Sequence, residues 1–398
     1  MRERARQGRT RRGTTTAAGV CCALAWLAAS AEAVAAEPLF VLQDARGDDD
    51  GNGSLIYPNR DDLEPGDLDL VSLHAEQRSD GIWFVVEMGQ AIRSPVGRVT
   101  ELGQTPIERI ARNGFYTFNV DVYVDTDRIA GSGQTGTVPG RAVTVDRQFA
   151  WEKALVLTPR PDIARTMLQL YFDSEFESEL RAKQGKVSKD ELRDLQSQSE
   201  RRVNDLFYFP TRVRVSGRQV EFLVPQEFLG GVPSKSWGYT VVVTGADIEQ
   251  TGRPGQLTPV KPTMMTMGVA RGVRWSQWGI RGDADEATPP VIDILAADHD
   301  VQKTALSDYD AVSGRLAAVP GVAPDGQAAM AGSGQETTPE QLVRIEAATQ
   351  GGTGTAGSTP TERRTVPARL RTLNELLADG LITQAEYNEL RRKILAEL

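Results

Sequence analysis

Short stretches in which apolar and polar residues alternate recur through the first three quarters of the chain. A period of two places apolar side chains on one face of a strand and polar side chains on the other. Val, Phe, Tyr and Thr dominate these stretches, and Gly, Pro, Asp and Asn separate them, which is typical of strands and turns. Residues 68–73 and 115–124 alternate, residues 81–88 are a dense strand candidate, and residues 213–215, 220–224 and 239–244 continue the series. Because no helical pattern alternates with them, we expect a mainly β fold, an antiparallel β-sandwich over residues 37–315.

One segment within this β-rich region has a helical composition. Residues 172–184 are charged and rich in helix-forming residues, and Ser188 with Glu191 forms a capping box that would start a second helix. The pattern predicts a helical insertion at residues 161–205. Such a hairpin is either a solvated decoration or an arm that docks a partner.

The C-terminal part of the chain contains two segments whose amino-acid composition differs from that of the β-rich region. Residues 316–366 are rich in Ala, Gly, Thr, Pro and Ser and contain too few apolar residues to offset chain entropy, which predicts a disordered linker. Residues 367–398 carry two apolar stripes at helical spacing on either side of Gly380, which predicts a small α-hairpin. Because two such short helices are marginal alone, we expect a homo-oligomer or a partner at this hairpin.

The first 35 residues have the pattern of a signal peptide. Arginines precede an apolar stretch at residues 17–29, and small residues such as Ala33 and Ala35 follow it. The stretch is shorter than the ~20 residues of a spanning helix, so we expect no stable membrane insertion after cleavage. The mature protein would be periplasmic or secreted. Both cysteines, Cys21 and Cys22, would be removed, which excludes disulfide and thiolate chemistry.

Charge narrows the possible partners. The first 35 residues hold six arginines and two glutamates, so their removal takes the net charge from −9 to −13. This negative balance argues against nucleic acid as a partner, and we expect none, since binding to phosphates needs concentrated positive charge. Divalent cations and neutral polymers remain open.

The strongest chemical signal is an acidic, glycine-rich run directly after the first apolar stretch. Its potential oxygen ligands for calcium are Asp44, Asp48, Asp49, Asp50 and Asn52. Glycines 47, 51 and 53 would let the backbone turn so that these oxygens converge. The alternative is a solvated acidic loop without a specific ion.

A second, weaker calcium candidate combines Asp121, Asp125 and Asp127. Alternation places Asp121 and Asp125 on the same face of a strand, which we expect to be a polar outer face. Asp125 is therefore included among the predicted metal ligands.

Tryptophans near arginines are the best candidates for sugar binding, because an aromatic face can cover a pyranose ring. Trp275 and Trp278 lie three residues apart between Arg271 and Arg281, and these four residues form the predicted ligand site. Packing in the core is the alternative for both tryptophans. We expect Trp83 and Trp151 to be core residues.

Catalytic patterns are lacking. The sequence contains no Gly-x-Ser-x-Gly elbow and no phosphate loop, and nothing selects one pair among its many carboxylates. We therefore predict no catalytic residues and a protein that is not an enzyme. An unrecognised hydrolase remains a further alternative.

Several motifs also resemble a known family. They are the run Asp44 to Pro58, Leu68-Asp-Leu70, the segment from Asn119 to Asp127 with Trp151-Glu152, Trp237-Gly-Tyr239 and Val291-Ile-Asp-Ile-Leu295. Together they resemble the C-terminal module of glucodextranases and pullulanase-like enzymes, a DOMON-like β-sandwich. The tail resembles SHOCT domains, short C-terminal helical hairpins, through residues 379–387. The resemblance implies a carbohydrate-binding role, but the long 161–205 insertion and the segment 278–283 depart from the family.

Pattern and resemblance together predict an exported, non-catalytic binding protein. In this hypothesis a calcium-stabilised sandwich recognises glycan or a cell-envelope polymer. The alternative is an envelope protein-assembly scaffold that docks through the 161–205 arm and the C-terminal hairpin.

Overall fold

The structure is a computed structural model that describes residues 37–100, 105–249, 264–282 and 284–326. The predicted signal peptide, residues 327–366 of the predicted linker and the predicted C-terminal hairpin lie outside these residues.

The elements follow the chain order. The strands are β1 (Phe40–Gln43), β2 (Leu55–Ile56), β3 (Leu70–Arg78), β4 (Gly81–Met88), β5 (Phe118–Asp125), β6 (Val143–Val145), β7 (Lys153–Leu157), β8 (Phe207–Tyr208), β9 (Val213–Ser216), β10 (Gln219–Val224), β11 (Gly238–Gly245), β12 (Val269–Arg271), β13 (Trp278–Ile280), β14 (Asp293–Ile294) and β15 (Ala317–Val319). The helices are α1 (Pro161–Gln184), α2 (Lys189–Leu206), α3 (Gln226–Leu229) and α4 (His299–Ser307).

Two five-stranded sheets dominate the described residues. The first has the order β1-β3-β4-β10-β9 and is antiparallel throughout. The second has the order β14-β11-β5-β7-β8, and only the β7–β8 pair is parallel. Smaller sheets, β12-β13-β2 and β15-β6, accompany them. The predicted fold class, a mainly β antiparallel sandwich with a helical insertion, is confirmed.

Aromatic and aliphatic side chains fill the space between the two large sheets. Phe40 of the first sheet stacks on Tyr239 of the second, with ring centroids 4.4 Å apart. Phe84 and Phe222 stack on neighbouring strands of the first sheet at 5.7 Å. Burial of this apolar surface is the main term that holds the sheets together.

The second sheet is covered on both faces. Every residue of β5 and β11 is buried, because α1, α2, α4 and the β15-β6 pair cover the face that points away from the first sheet. This corrects the expectation that Asp121 and Asp125 lie on a polar outer face: both are buried. The alternation was read correctly, but the covering layer comes from segments distant in sequence.

The predicted start of the linker at residue 316 is too early. β15 pairs in parallel with β6, and its residues Ala317 and Val319 are fully buried. Val322 then exchanges backbone hydrogen bonds with Tyr239 of β11. The composition of this segment hid the strand, since small Ala and Pro residues contribute little to an apolar pattern.

The insertion forms the two helices α1 and α2. The predicted capping box is present, with the Ser188 backbone N–H donating to Glu191 Oε2 over 2.8 Å and the Glu191 N–H donating to Ser188 Oγ over 3.3 Å. Met167, Leu168 and Val203 lie at the sheet end of this hairpin and pack on the second sheet. None of the helices in the described ranges combines the length and apolar character needed to cross a bilayer.

Candidate functional site: an acidic cluster and a cleft beside Trp275

Glycine conformations shape the acidic loop that follows β1. Gly47 and Gly51 have φ values of +77° and +64°, a region that residues with side chains rarely adopt. A Cβ atom on Gly51 would lie 2.8 Å from the Val291 carbonyl oxygen. The loop therefore turns back and packs directly against the segment that leads into β14.

Three carboxylates from distant parts of the sequence meet in this region. Asp44 and Asp48 come from the acidic loop and Asp293 from β14, and one oxygen of each lies within 4.8 Å of the others. Asp293 accepts backbone hydrogen bonds from Leu70 at 2.6 Å and Ile294 at 2.8 Å, and Asp44 Oδ1 accepts one from Ala296 at 2.7 Å. Both carboxylate oxygens of Asp48 and Oδ2 of Asp44 are buried and accept no hydrogen bond from any described residue.

Burial and mutual repulsion dominate the electrostatics of this cluster. Burial, reinforced by the charge of Asp48, raises the pKa of Asp44 to about 9. Burial and the charges of Asp44 and Asp48 hold the pKa of Asp293 well above its usual range, and burial also raises the pKa of Asp48. The pKa of Asp69, whose Oδ1 accepts a hydrogen bond from Gly47 N, is raised to about 6, chiefly by burial. Packed in this way, the carboxyls favour their neutral forms unless positive charge joins them.

The other predicted ligands of the loop make different contacts. Asp49 accepts hydrogen bonds from Tyr57 and from Gly66 N, Asp50 pairs with His299 at 2.9 Å, and the Asn52 side chain accepts from Ser54. These contacts shape the loop and its attachment to α4. The structure thus brings Asp44 and Asp48 together with Asp293, and it does not place Asp49, Asp50 or Asn52 in that group of oxygens.

Asp125 belongs to a separate group, with Asp127 and Glu152. Its Oδ1 accepts the backbone N–H groups of residues 127 and 128, and Arg128 Nη1 lies 3.6 Å from its Oδ2. Asp127 is exposed and caps its own turn. Asp121 is not in this group: it pairs with the buried Arg141.

The two candidate sugar-binding tryptophans occupy opposite environments. Trp278 is fully buried and meets Tyr57 edge to face at 4.6 Å. It is a core residue, which corrects its assignment to the ligand site, because a ring without exposed surface cannot cover a sugar. Trp275 is 41% exposed, and the Arg60 guanidinium lies 4.7 Å from its ring centroid. Trp83 and Trp151 are buried, as expected for core residues.

The predicted arginines do not accompany Trp275. Arg271 is exposed and pairs with Glu286 at 3.4 Å, and Arg281 is exposed. Neither lines the cleft that Trp275 borders.

That cleft has a volume of about 510 Å³. Its lining combines the Trp275 ring with apolar residues and several charged ones, among them Arg60, Asp61, Asp62, Arg98, Asp247 and Glu249. The cleft thus offers an exposed aromatic ring together with hydrogen-bond donors and acceptors. No sequence pattern signalled Arg60 or Arg98, because they lie more than 170 residues before Trp275 and come together with it only in the fold.

A hydrogen-bonded network supports the floor of the cleft. Arg60 Nη2 donates to Asp62 Oδ2 over 2.7 Å, and the Tyr116 hydroxyl donates to the same oxygen over 2.8 Å. Burial alone would raise the pKa of Asp62, but the hydrogen bond and charge of Arg60 outweigh it, so this pKa lies below its usual value. The network holds the Arg60 guanidinium against Trp275.

We expect replacement of Asp62 by asparagine to lower the free energy of unfolding by about 1–3 kcal/mol at neutral pH. A carboxylate with a lowered pKa stabilises the fold above its unfolded pKa of about 4, and this stabilisation is lost as the pH falls through the folded pKa. The difference between wild type and Asp62→Asn should therefore stay constant from pH 7 to about 5 and shrink below about pH 4. Urea unfolding at a series of pH values measures it.

The exposed neighbour Asp61 provides the matched control. Its side chain is 83% exposed and pairs with Arg98, so Asp61→Asn should change stability little at any pH. A wild-type-minus-Asp62→Asn difference that grows on acidification would contradict the assignment of Asp62.

The two packed antiparallel sheets define the class of this protein as a β-sandwich. A family model described as the C-terminal binding module, SLH-like, of glucodextranase matches residues 39–321, which is well over half of the chain. The chain belongs to this family, as its motifs indicated. A second model, of the short C-terminal domain SHOCT, matches residues 368–395. Among curated proteins no match to the chain was found.

Proposed function

We propose that this chain is an exported, non-catalytic binding protein that recognises glycan or a cell-envelope polymer through the cleft beside Trp275, and that calcium stabilises its sandwich. Membership in a family of binding modules supports the class of function. The observation that carries the proposal is the half-exposed Trp275 ring in a cleft that offers both cationic and anionic side chains.

The chemistry of the cleft suits a carbohydrate. The C–H face of a sugar ring packs on an aromatic ring, while hydroxyl groups exchange hydrogen bonds with charged side chains around it. Trp275 supplies the ring, and Arg98, paired with Asp61 at 2.9 Å, lies among the charged groups of the cleft. Arg60 supports the ring through its guanidinium.

We expect Trp275→Ala to weaken retention on glycan arrays or insoluble cell-envelope polysaccharide at least about tenfold, which corresponds to the loss of about 1.4 kcal/mol of binding free energy. Because Trp275 lies at the surface, the variant should keep its melting temperature. Retention of purified wild-type and variant protein, measured side by side, tests the proposal.

Arg271→Ala is the matched control, since Arg271 is exposed on neighbouring β12 but does not line the cleft. Its retention should equal that of wild type. If wild type shows no retention on any polysaccharide, or if Trp275→Ala binds as well as Arg271→Ala, the proposed function is wrong. Capture of envelope proteins that depends on the 161–205 arm would instead favour the assembly-scaffold hypothesis.

A further inference from the structure

The acidic cluster lies where the edges of the two large sheets meet. In the described part of the chain, β1 is one of the two edge strands of the first sheet, and β14 is one of the two edge strands of the second. Asp44, directly after β1, accepts a hydrogen bond from Ala296 N beyond β14, and Asp293 on β14 accepts one from Leu70 N on β3. Each sheet thus contributes a carboxylate that is held by the backbone of the other.

A side chain of α4 fixes the loop that carries the third carboxylate. Gln302 is fully buried and donates to the carbonyl oxygens of Asp48 and Gly51, while its own Oε1 accepts from Ile294 N at 2.9 Å. With its backbone held in this way, Asp48 is directed into the cluster at 0% exposure.

No side chain in the described part of the chain contacts the Asp48 carboxylate as a hydrogen-bond donor or ion-pair partner; the charge of His299, which pairs with Asp50, only partly opposes the rise in the pKa of Asp48 that burial causes. Both of its oxygens lack a hydrogen-bond donor, and no arginine, lysine or histidine of the described residues forms an ion pair with Asp44, Asp48 or Asp293. A buried ionised carboxylate without a partner costs several kcal/mol. An arrangement that aims two unpartnered oxygens at two other carboxylates is therefore incomplete without a cation.

We propose that Asp44, Asp48 and Asp293 bind one divalent cation of the calcium class and that this cation joins the edges of the two sheets. Hard oxygen donors of this kind are the ligands that calcium prefers, and three carboxylates leave room for carbonyl and water ligands to complete its coordination. The inference rests on the calcium-stabilised sandwich of the proposed function and names its ligands. It does not depend on the identity of the glycan.

The test compares wild type with Asp48→Asn in thermal melting and isothermal titration calorimetry, using calcium chloride, magnesium chloride or EDTA. In wild type, calcium at 100 times its Kd should raise the melting temperature by about 5 °C. Asp48→Asn should weaken calcium binding at least about tenfold, since even indirect changes to a metal site cost that much.

The effect of Asp48→Asn on the melting temperature should change sign between EDTA and calcium if Asp48 is a metal ligand, and should keep the same sign if Asp48 is merely structural. In EDTA, Asp48→Asn should melt at or above the wild-type temperature, because the amide of asparagine can donate hydrogen bonds to the neighbouring carboxyl oxygens, whereas both Asp48 oxygens lack a donor. In calcium it should melt below wild type. A purely structural role would lower the melting temperature under both conditions.

Asp50→Asn is the matched control from the same loop, because Asp50 pairs with His299 at the surface and lies outside the group of three. It should bind calcium as wild type does. Terbium luminescence of wild-type protein, displaced by calcium, provides a readout that does not depend on whether any variant folds.

The proposal is overturned if wild type shows neither a calcium-dependent melting shift nor calcium-displaceable terbium luminescence. Undiminished calcium binding by Asp48→Asn, or loss of binding only in Asp50→Asn, would also overturn it. Because these readouts do not involve sugar, they separate failure of the cation site from failure of glycan retention, which depends on Trp275.

Discussion

Replacing Arg141 by methionine is expected to lower the free energy of unfolding by about 3–5 kcal/mol, because it breaks a buried ion pair. Arg141 and Asp121 form a fully buried ion pair: Nε and Nη2 contact the two carboxylate oxygens at 2.6 and 3.1 Å. Arg141 Nη1 also donates to the Met264 carbonyl oxygen at 3.0 Å. Methionine fills much of the same volume but leaves the buried Asp121 carboxyl without its cation, with the Tyr123 hydroxyl as its remaining donor among the described residues.

Urea unfolding of the Arg141→Met variant measures this loss. The double variant Arg141→Met/Asp121→Leu is the control, because a buried ion pair can often be exchanged for well-packed apolar residues at little net cost. It should recover most of the lost stability. A loss below about 1 kcal/mol in the single variant would mean that the pair is solvated, contrary to its burial.

Replacing Trp278 by alanine is expected to lower the free energy of unfolding by about 3–5 kcal/mol, because it leaves a large cavity in the core. Trp278 is fully buried on β13, packs on Tyr57, and its indole lies so close to Gly245 that a Cβ there would come within 2.8 Å of Nε1. Guanidinium unfolding, followed by circular dichroism, measures the change.

Trp275→Ala is the natural comparison, since it removes the same side chain three positions earlier. Its ring is 41% exposed, so its cost should stay below about 1 kcal/mol. The two variants should therefore have different effects: Trp278→Ala should lower the stability of the fold, and Trp275→Ala should lower ligand retention. Equal destabilisation by both substitutions would place Trp275 in the core and remove the aromatic surface from the cleft.

Local patterns were enough to predict much of the architecture. The predicted strands at residues 81–88 and 115–124 correspond to β4 and β5, although β5 begins three residues later, and Ser188 and Glu191 cap the second helix of the insertion. These predictions succeed because period-two alternation and capping depend on neighbouring residues only. The predicted linker start at residue 316 was wrong, because local patterns do not report pairing between distant segments. β15 pairs with β6, a strand more than 170 residues earlier in the chain.

For the candidate sites too, local sequence predicted the types of residue present but not which of them meet in space. The acidic run showed that oxygen ligands were abundant after β1, but it could not show that Asp48 points inward while Asp50 pairs with His299 at the surface. Asp293 stands alone in an apolar run that also belongs to the family motif Val291-Ile-Asp-Ile-Leu295, but neither signal indicated that its carboxylate meets those of Asp44 and Asp48. The same reasoning applies to Trp275 and Trp278, which differ in exposure although they share a local sequence context.

The order of residues alone specified the β-sandwich class, the helical insertion and the family of binding modules, because short-range periodicity and motifs encode them. Tertiary structure alone decided which carboxylates converge, which tryptophan remains exposed and which arginines accompany it. The physical reason is that burial and charge proximity are set by packing between segments far apart in the chain. The Asp44, Asp48 and Asp293 cluster spans about 250 residues of sequence and exists only once the edges of the two sheets meet.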